Sequence, residues 1–351
     1  MSGPGVLIQN GFLVDRLGPF GEECRVYTPA DMAGGISSTL AEEVEVLVTA
    51  GEIPNTLVDA LPKLRLVACF STGYAGIDLP HLRARDIRLT TAAGVNAHDV
   101  ADHAIALMLA LWHGIPAADQ VVRSGGWRNG VAARPSLRGR SAGVLGLGRI
   151  GSAIASRLVA HELIVRWWGP RDKPDAGFER VANVEELASQ SDILIVASRA
   201  VPDNAGQVDA AVLRALGPQG IAINVSRGFL IDEPALITAL RDGKIAGAAL
   251  DVFDPEPLDL ARWRDVPNVV LTPHLAGYTI EAGADMVGQL RENVERYLRG
   301  EALLSPVEDA LQVWWPATLA GKDIRSYCQA GQDGGSAGPS SARHDIRSAG
   351  E

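Results

Sequence analysis

Short aliphatic runs alternate with helix-length segments between residues 141 and 274, and this alternation restricts the fold more than any other feature. Near-continuous apolar strands separated by helices are typical of βαβ units, in which helices cover both faces of a parallel sheet. We therefore predict a doubly wound α/β domain, with strands at residues 142–145, 163–168, 193–197, 221–225, 246–250 and 269–271.

A weaker copy of the same pattern comes earlier, at residues 44–49, 66–70 and 87–90. A chain of 351 residues is long enough for two cores. We predict that residues 1–93 begin a smaller, flavodoxin-like α/β domain, that residues 94–280 form the larger domain, and that residues 281–316 return to the smaller one. Residues 317–351 are read as a disordered tail, because from about Gly331 they contain few apolar side chains.

Composition removes several classes of function. The net charge of −10 argues against nucleic-acid binding. No apolar run reaches the roughly 18 to 20 residues of a membrane span, and the first residues lack a secretory pattern, so we expect a cytoplasmic protein with no membrane partner. Cys24, Cys69 and Cys328 are far apart, which indicates neither a metal site nor a disulfide framework.

A glycine motif opens the larger domain. Gly146-Leu-Gly148-Arg-Ile-Gly151 follows the first predicted strand and precedes a helix. The first glycine permits a tight turn, the second lets a pyrophosphate approach the backbone, and the third lets helix and strand pack closely. The motif in this setting predicts dinucleotide binding, with a merely structural glycine turn as the alternative.

Three polar side chains follow other predicted strands. Arg227 comes after the strand at 221–225, Glu256 lies past the strand at 246–250, and His274 lies past the strand at 269–271. Since ligands bind at the carboxyl ends of strands in open α/β sheets, these residues should meet beside the dinucleotide. An arginine fork can hold a carboxylate, and a histidine backed by a carboxylate can transfer a proton near neutral pH.

Each of these residues also has an ordinary interpretation. Arg227 could be a surface residue paired with Asp232 or Glu233. His274 could be a core or surface histidine, and Glu256 could be one more acid in an acidic loop. Their joint placement at strand ends favours the catalytic reading.

The stretch 143–279 resembles the D-isomer-specific 2-hydroxyacid dehydrogenase family, through GVLGLGRIG, NVSRGFLIDEPALITALRDGKIAGAALDVFDPEPL and NVVLTPHLAGYT. STGYAGID and GVNAHDVADHAIALMLAL also resemble family segments. The resemblance implies a Rossmann cofactor domain, a homodimer, and reduction of a small 2-oxo acid, with glyoxylate and hydroxypyruvate reductases the most similar members. Rival readings are phosphoglycerate dehydrogenase, formate dehydrogenase, and a non-catalytic nucleotide-sensing corepressor.

The resemblance also assigns roles to residues. It implies that Arg227 binds and polarises the substrate, that His274 is the general acid/base, and that Glu256 orients His274. The substrate carboxylate is expected to contact Arg227 and the loop formed by Ser71, Thr72, Gly73, Tyr74 and Ala75. The dinucleotide is expected to contact Gly146, Gly148, Arg149, Ile150, Gly151, Arg171, Val225, Ser226 and, at its nicotinamide amide, Asp251.

Two local features refine these expectations. The second strand of the larger domain ends at Gly169, where NAD-binding proteins usually place an acid, and Arg171 follows. We therefore predict NADP as the cofactor, with NAD as the alternative if Asp172 holds the ribose. The segment 198–203, Ser-Arg-Ala-Val-Pro-Asp, replaces the Pro-Leu-Thr that is usual in the family.

Overall fold

The computed structural model describes residues 3–307, except residues 23, 75 and 132. The predicted tail at 317–351 lies outside this described part. The described strands form two sheets, of five and seven strands, in which every pairing is parallel.

The smaller sheet has the strand order β2-β1-β3-β4-β5, which is the flavodoxin-like order. Its strands are β1 (Gly5–Ile8), β2 (Arg25–Tyr27), β3 (Val44–Thr49), β4 (Leu66–Cys69) and β5 (Arg88–Thr90). The helices between them are α1 (Gly11–Leu17), α2 (Ser38–Glu43), α3 (Asn55–Asp59) and α4 (Leu79–Ala84).

The larger sheet has the order β12-β11-β10-β9-β6-β7-β8, which is the Rossmann order with one added strand. Its strands are β6 (Ser141–Leu145), β7 (Ile164–Trp168), β8 (Glu179–Arg180), β9 (Ile193–Val196), β10 (Ile221–Asn224), β11 (Gly247–Leu250) and β12 (Val269–Leu271). The remaining helices are α5 (Ala97–His113), α6 (Ile115–Arg123), α7 (Arg149–Ala160), α8 (Val184–Ser189), α9 (Ala210–Leu216), α10 (Glu233–Arg241), α11 (Leu260–Trp263) and α12 (Ile280–Leu298).

Helices cover both faces of the larger sheet, as the continuous apolar strands predicted. Buried side chains of α5 and α7 form one core with the sheet, and those of α8, α9 and α10 form a second core on the opposite face. The strand order reverses between β9 and β6, so a crevice opens at the carboxyl ends of these two strands.

The chain crosses between the two sheets twice. It leaves the smaller sheet after β5, and α5 then packs on the larger sheet. After β12 the long helix α12 returns, and its Leu290 and Val294 share a core with Val6 and Ile8 of β1. The residues that follow β4 and those that follow β10 are thereby held in one compact unit.

Sequence patterning identified nine of these strands and missed three, namely β1, β2 and β8. Strand β8 has two exposed residues and β2 has one buried residue, so neither carries an apolar run. Strand β1 is a fully buried run of four residues, so its sequence does carry an apolar pattern, but a short one. The ends of the predicted strands and helices differ from the observed ones by a few residues, as is usual for element boundaries.

No single described helix combines the length and apolar character needed to cross a membrane. The pair α5 and α6, bent by 59° at their junction, passes the same criteria when the two helices are taken together. Much of α5 is buried in the core of the larger sheet.

Candidate active site

The three motif glycines occupy the turn from β6 into α7. Gly146 has a φ of 93°, and a Cβ there would lie 2.3 Å from the Cα of Ser198. A Cβ on Gly151 would lie 1.9 Å from the carbonyl oxygen of Gly146. A Cβ on Gly148, the N-cap of α7, would meet nothing within 4 Å. Close packing at two glycines and open space at the third are what a pyrophosphate at this helix terminus requires.

The wall of this turn carries an unsatisfied polar atom. The hydroxyl of Ser198 is buried and has no hydrogen-bond partner in the described part of the chain. Its backbone is fixed from the neighbouring strand end, since the hydroxyl of Ser226 donates to the Ser198 carbonyl at 2.5 Å. A bound dinucleotide beside Gly146 would supply the missing partner, and the cradle therefore fits this class of cofactor.

The end of β7 carries cations. Gly169 is buried and Arg171 is exposed. Within the described residues Arg171 forms no ion pair, and the neighbouring Asp172 carboxylate accepts a hydrogen bond from the backbone of Lys173 at 2.9 Å. The Lys173 ammonium donates to the carbonyl of Leu147, inside the glycine turn. The glycine turn after β6 and the end of β7 thus form one positively charged edge of the sheet.

Arg227 lies on the turn after β10, and the side chain of Asn224 stabilises that turn. The Asn224 amide donates to the Arg227 carbonyl at 2.9 Å and accepts from the Ser226 backbone at 3.0 Å. A Cβ on Gly73 would lie 2.8 Å from Nη2 of Arg227, so the guanidinium faces the loop after β4. Burial lowers the pKa of Arg227, and the nearby Glu256 carboxylate opposes that shift.

The two acids that could have paired with Arg227 have other partners. The Asp232 carboxylate caps α10 by accepting from the Ala235 backbone at 3.0 Å. Glu233 forms an ion pair with Arg262 at 3.2 Å and accepts from the Asp254 backbone at 2.7 Å. The ordinary interpretation of Arg227 as half of a surface ion pair with these acids is therefore wrong.

Glu256 and His274 form a hydrogen-bonded pair. Oε2 of Glu256 lies 2.8 Å from Nδ1 of His274, and Oε1 accepts from the Phe253 backbone at 3.0 Å. An ionised carboxylate only accepts, so the proton of this contact belongs to Nδ1. The His274 side chain is 40% exposed, and Nε2 makes no hydrogen bond within the described chain. The second nitrogen is therefore available to exchange a proton with a ligand.

Asp251 holds the turn that carries His274. Its carboxylate accepts hydrogen bonds from the Thr272 hydroxyl at 2.6 Å and from the backbones of Leu275 and Ala276, both at 2.8 Å. Burial would raise the pKa of Asp251, but hydrogen bonds, including one from His103, outweigh it and lower the pKa. Asp251 is only 1% exposed, and its carboxylate is engaged by the loop after β12, so its expected contact with a nicotinamide amide stays a prediction.

His103 was not singled out from the sequence. Its Nε2 lies 3.0 Å from the Thr272 hydroxyl and 3.4 Å from the Asp251 carboxylate. The residue sits on α5, among side chains that are otherwise mainly apolar, and that contrast was the available signal.

The loop after β4 faces the turn after β10. The Ser71 hydroxyl donates to the Ala50 carbonyl, and the Ser71 carbonyl accepts from the Ala92 backbone at 3.0 Å. Gly73 approaches Arg227 as described, Thr72 is partly buried and Tyr74 is buried. Ala75, which was also expected to bind substrate, lies outside the described residues.

The remaining predicted cofactor residues line the same turns but have contacts of their own. Arg149 donates to the Ala93 carbonyl at 3.1 Å, which ties the start of α7 to the chain before α5. Ile150 packs against the apolar core that includes Val225. Asp102 of α5 pairs with Arg157 of α7 at 2.7 Å.

The loops that carry Arg227 and Glu256 touch through Gly228. A Cβ on Gly228 would lie 2.0 Å from the carbonyl carbon of Phe253, so only glycine allows this backbone approach. Gly228→Ala should therefore lower the free energy of unfolding in urea by about 1 to 3 kcal/mol.

The matched control is Gly288→Ala, on the exposed face of α12, where a Cβ meets nothing within 4 Å. It should raise the free energy of unfolding by up to about 1 kcal/mol, since alanine favours a helix more than glycine. Equal effects of the two substitutions would contradict the close approach at Gly228.

Known proteins match both the sequence and the fold. The family model for the NAD-binding domain of D-isomer specific 2-hydroxyacid dehydrogenases matches residues 105–276. Glyoxylate/hydroxypyruvate reductase A of Arabidopsis thaliana is 40% identical over 252 residues, which cover 72% of this chain and 80% of that protein. Hydroxyphenylpyruvate reductase of Plectranthus scutellarioides is 39% identical over the same length and coverage.

Among solved structures, an NADPH-dependent glyoxylate/hydroxypyruvate reductase of Sinorhizobium meliloti, in complex with NADP and malonate, superposes with a TM-score of 0.78. It is 36% identical, and the match covers 90% of this chain and 99% of that one. The glycine cradle, the strand-end arginine and the histidine–glutamate pair thus occur in a chain that belongs to the D-isomer specific 2-hydroxyacid dehydrogenase family.

Proposed function

We propose that this protein reduces a small 2-oxo acid of the glyoxylate or hydroxypyruvate type to the D-2-hydroxy acid, with a nicotinamide dinucleotide as reductant. The observation that carries the proposal is the 2.8 Å contact between His274 and Glu256, with Arg227 beside it at the carboxyl edge of the sheet. The reductases similar in sequence and structure support the same reaction.

The chain's own residues account for binding and proton transfer. A bound nicotinamide supplies the hydride that the oxo carbon receives. The Arg227 fork is suited to hold the substrate carboxylate and the neighbouring carbonyl oxygen together, and it polarises the carbonyl. Nε2 of His274 gives a proton to that oxygen, and the Glu256 carboxylate stabilises the imidazolium form beforehand. The loop Ser71 to Ala75 contributes backbone donors to the carboxylate.

His274→Ala tests the reaction directly. With NADPH and NADH in parallel, a panel of glyoxylate, hydroxypyruvate and pyruvate should show turnover by the wild-type protein. The variant should lose about 10²- to 10⁴-fold in kcat, because a general acid has been removed, and should retain its dinucleotide affinity.

His81→Ala is the matched control, since Nε2 of His81 also lies 2.8 Å from a carboxylate, that of Asp59, but on α4. It should keep wild-type kcat. A His274 variant within a few-fold of wild type would refute the assigned role. Tight dinucleotide binding without turnover on any oxo acid would instead favour a nucleotide-sensing corepressor.

We further propose that NADPH is preferred over NADH. The support is the positive edge after β7, where Gly169 occupies the position of a ribose-binding acid and Arg171 forms no ion pair in the described part of the chain. A guanidinium on the 2′-phosphate would make a charge-assisted contact worth about 1.5 to 3 kcal/mol.

Arg171→Ala should therefore weaken NADPH binding by roughly one to two orders of magnitude and leave NADH binding nearly unchanged. Dissociation constants from nucleotide fluorescence titrations give both values on one preparation. Equal losses for both cofactors, or tighter wild-type binding of NADH, would show that Asp172 or another group governs the choice.

A homodimer is proposed from the surface around α6. None of its side chains is buried, its Ile115 and Val122 are exposed, and so are Trp127 and Val131 just after it. A projecting helix with such a patch is suited to pack against a second copy.

In sedimentation velocity the wild-type protein should run at twice the chain mass and Val122→Asp should run as a monomer. Val159→Asp, which places the same charge on exposed α7 outside the patch, should stay dimeric. A monomeric wild-type protein at micromolar concentration would contradict the proposal.

These assignments also imply which domain binds the dinucleotide and which binds the substrate. We propose residues 94–280 as the dinucleotide-binding domain, and residues 1–93 with 281–316 as the substrate domain. The cytoplasmic location and the disordered tail stay predictions.

A further inference from the structure

A second arginine contacts the loop that faces Arg227. Arg199 lies just past β9, next to Ser198 of the glycine cradle. Its Nη2 donates to the hydroxyl of Tyr74, and its guanidinium carbon lies 5.7 Å from the centre of the Tyr74 ring. Arg199 therefore reaches from the larger sheet to the loop after β4, on the smaller sheet.

The position of Arg199 is fixed from its backbone. The side chain of Asn204 donates to the Arg199 carbonyl at 2.8 Å and accepts from the Val201 backbone at 2.8 Å. Tyr74, which accepts this hydrogen bond, is buried in the core of the smaller sheet, so its hydroxyl is also held in place. The contact joins two ordered elements.

Most of the hydrogen-bonding capacity of Arg199 is unused. A guanidinium has five N–H donors, and the Tyr74 hydroxyl takes one. The side chain is exposed, and no carboxylate of the described chain pairs with it. In a chain with a net charge of −10, an arginine left without an acid at a crevice is suited to an anionic ligand.

The two arginines meet consecutive residues of the same loop. Arg227 approaches Gly73, and Arg199 binds Tyr74. Both guanidinium groups therefore contact the same loop, Arg227 beside the Gly73 backbone and Arg199 at the hydroxyl end of the Tyr74 side chain. A small molecule with a carboxylate at each end offers one anionic group to each arginine.

We propose that Arg199 and Tyr74 form a distal anion subsite, which selects 2-oxo acids that carry a second carboxylate at the far end of a chain of four or five carbons. The inference rests on the proposed function, in which Arg227 holds the carboxylate next to the oxo group. Arg199 then binds the distal carboxylate, and Tyr74 orients its fork. Arg199 is a specificity-determining residue in this account and takes no part in proton transfer.

The test compares two acids of equal length on the complex with NADP⁺, in which no reduction takes place. Calorimetric dissociation constants are measured for 2-oxoglutarate and for 2-oxopentanoate, which differ only in the distal carboxylate. The wild-type complex should bind the dicarboxylate at least about tenfold more tightly, as expected for a charge-assisted contact. Arg199→Met should abolish most of this preference, and Arg199→Lys should retain part of it because the charge remains.

Arg214→Met is the matched control, since Arg214 is exposed on α9 and forms no ion pair in the described chain. It should keep the wild-type ratio of the two constants. Equal affinity of the wild-type complex for the two acids, no measurable binding of either, or an unchanged ratio in Arg199→Met would overturn the subsite. A variant that loses NADP⁺ affinity with an unchanged ratio would place Arg199 on the cofactor instead.

Turnover separates this proposal from the function on which it rests. The wild-type protein with NADPH is assayed on 2-oxoglutarate, 2-oxopentanoate and glyoxylate. If none is reduced while the binding preference persists, the proposed reaction fails and the subsite stands. If glyoxylate is reduced but the two longer acids bind alike, the reaction stands and the subsite fails.

Discussion

The buried carboxylate of Asp251 is the interaction on which the geometry of the site depends. It sits at the end of β11 and accepts three hydrogen bonds from the loop after β12. His274 lies within that loop with a φ of 55°, a conformation that a non-glycine residue adopts only when its surroundings impose it. The His274 backbone N–H also donates to the Asp251 carbonyl at 2.8 Å. Two adjacent strand ends are thereby locked together, and the imidazole is directed at Glu256.

Close backbone approach is the second requirement, and glycine supplies it. Gly151 lets α7 begin directly over the turn of Gly146, and Gly228 lets the Arg227 turn rest on the loop before Glu256. In each case a Cβ would lie 2.0 Å or less from backbone atoms. The glycine cradle after β6 and the Arg227 turn after β10 therefore depend on the same kind of close backbone approach. The carboxyl edge of a parallel sheet brings together residues that are far apart in sequence.

Much of this could be predicted from the sequence, because it is encoded locally. Apolar runs marked nine strands, the glycine motif marked the cradle, and the strand-end positions of Arg227, Glu256 and His274 marked the cluster. The contacts that could not be predicted are those made across the fold. The hydrogen bonds of the Asp251 carboxylate, for example, run to backbone groups of a loop more than twenty residues later. The contact of Arg199 with Tyr74 joins residues 125 positions apart, and no local sequence pattern predicts it.

We expect Arg227 and His274 to hold one 2-oxo acid between them. This expectation is tested most directly by a crystal structure of the protein with bound NADPH and oxamate, an unreactive analogue of a 2-oxo acid. The oxamate carboxylate should lie on the Arg227 fork and its carbonyl oxygen within about 3.2 Å of Nε2 of His274, with Nδ1 still hydrogen-bonded to Glu256. Oxamate bound away from Arg227, or a His274 ring turned from Glu256 towards solvent, would contradict it.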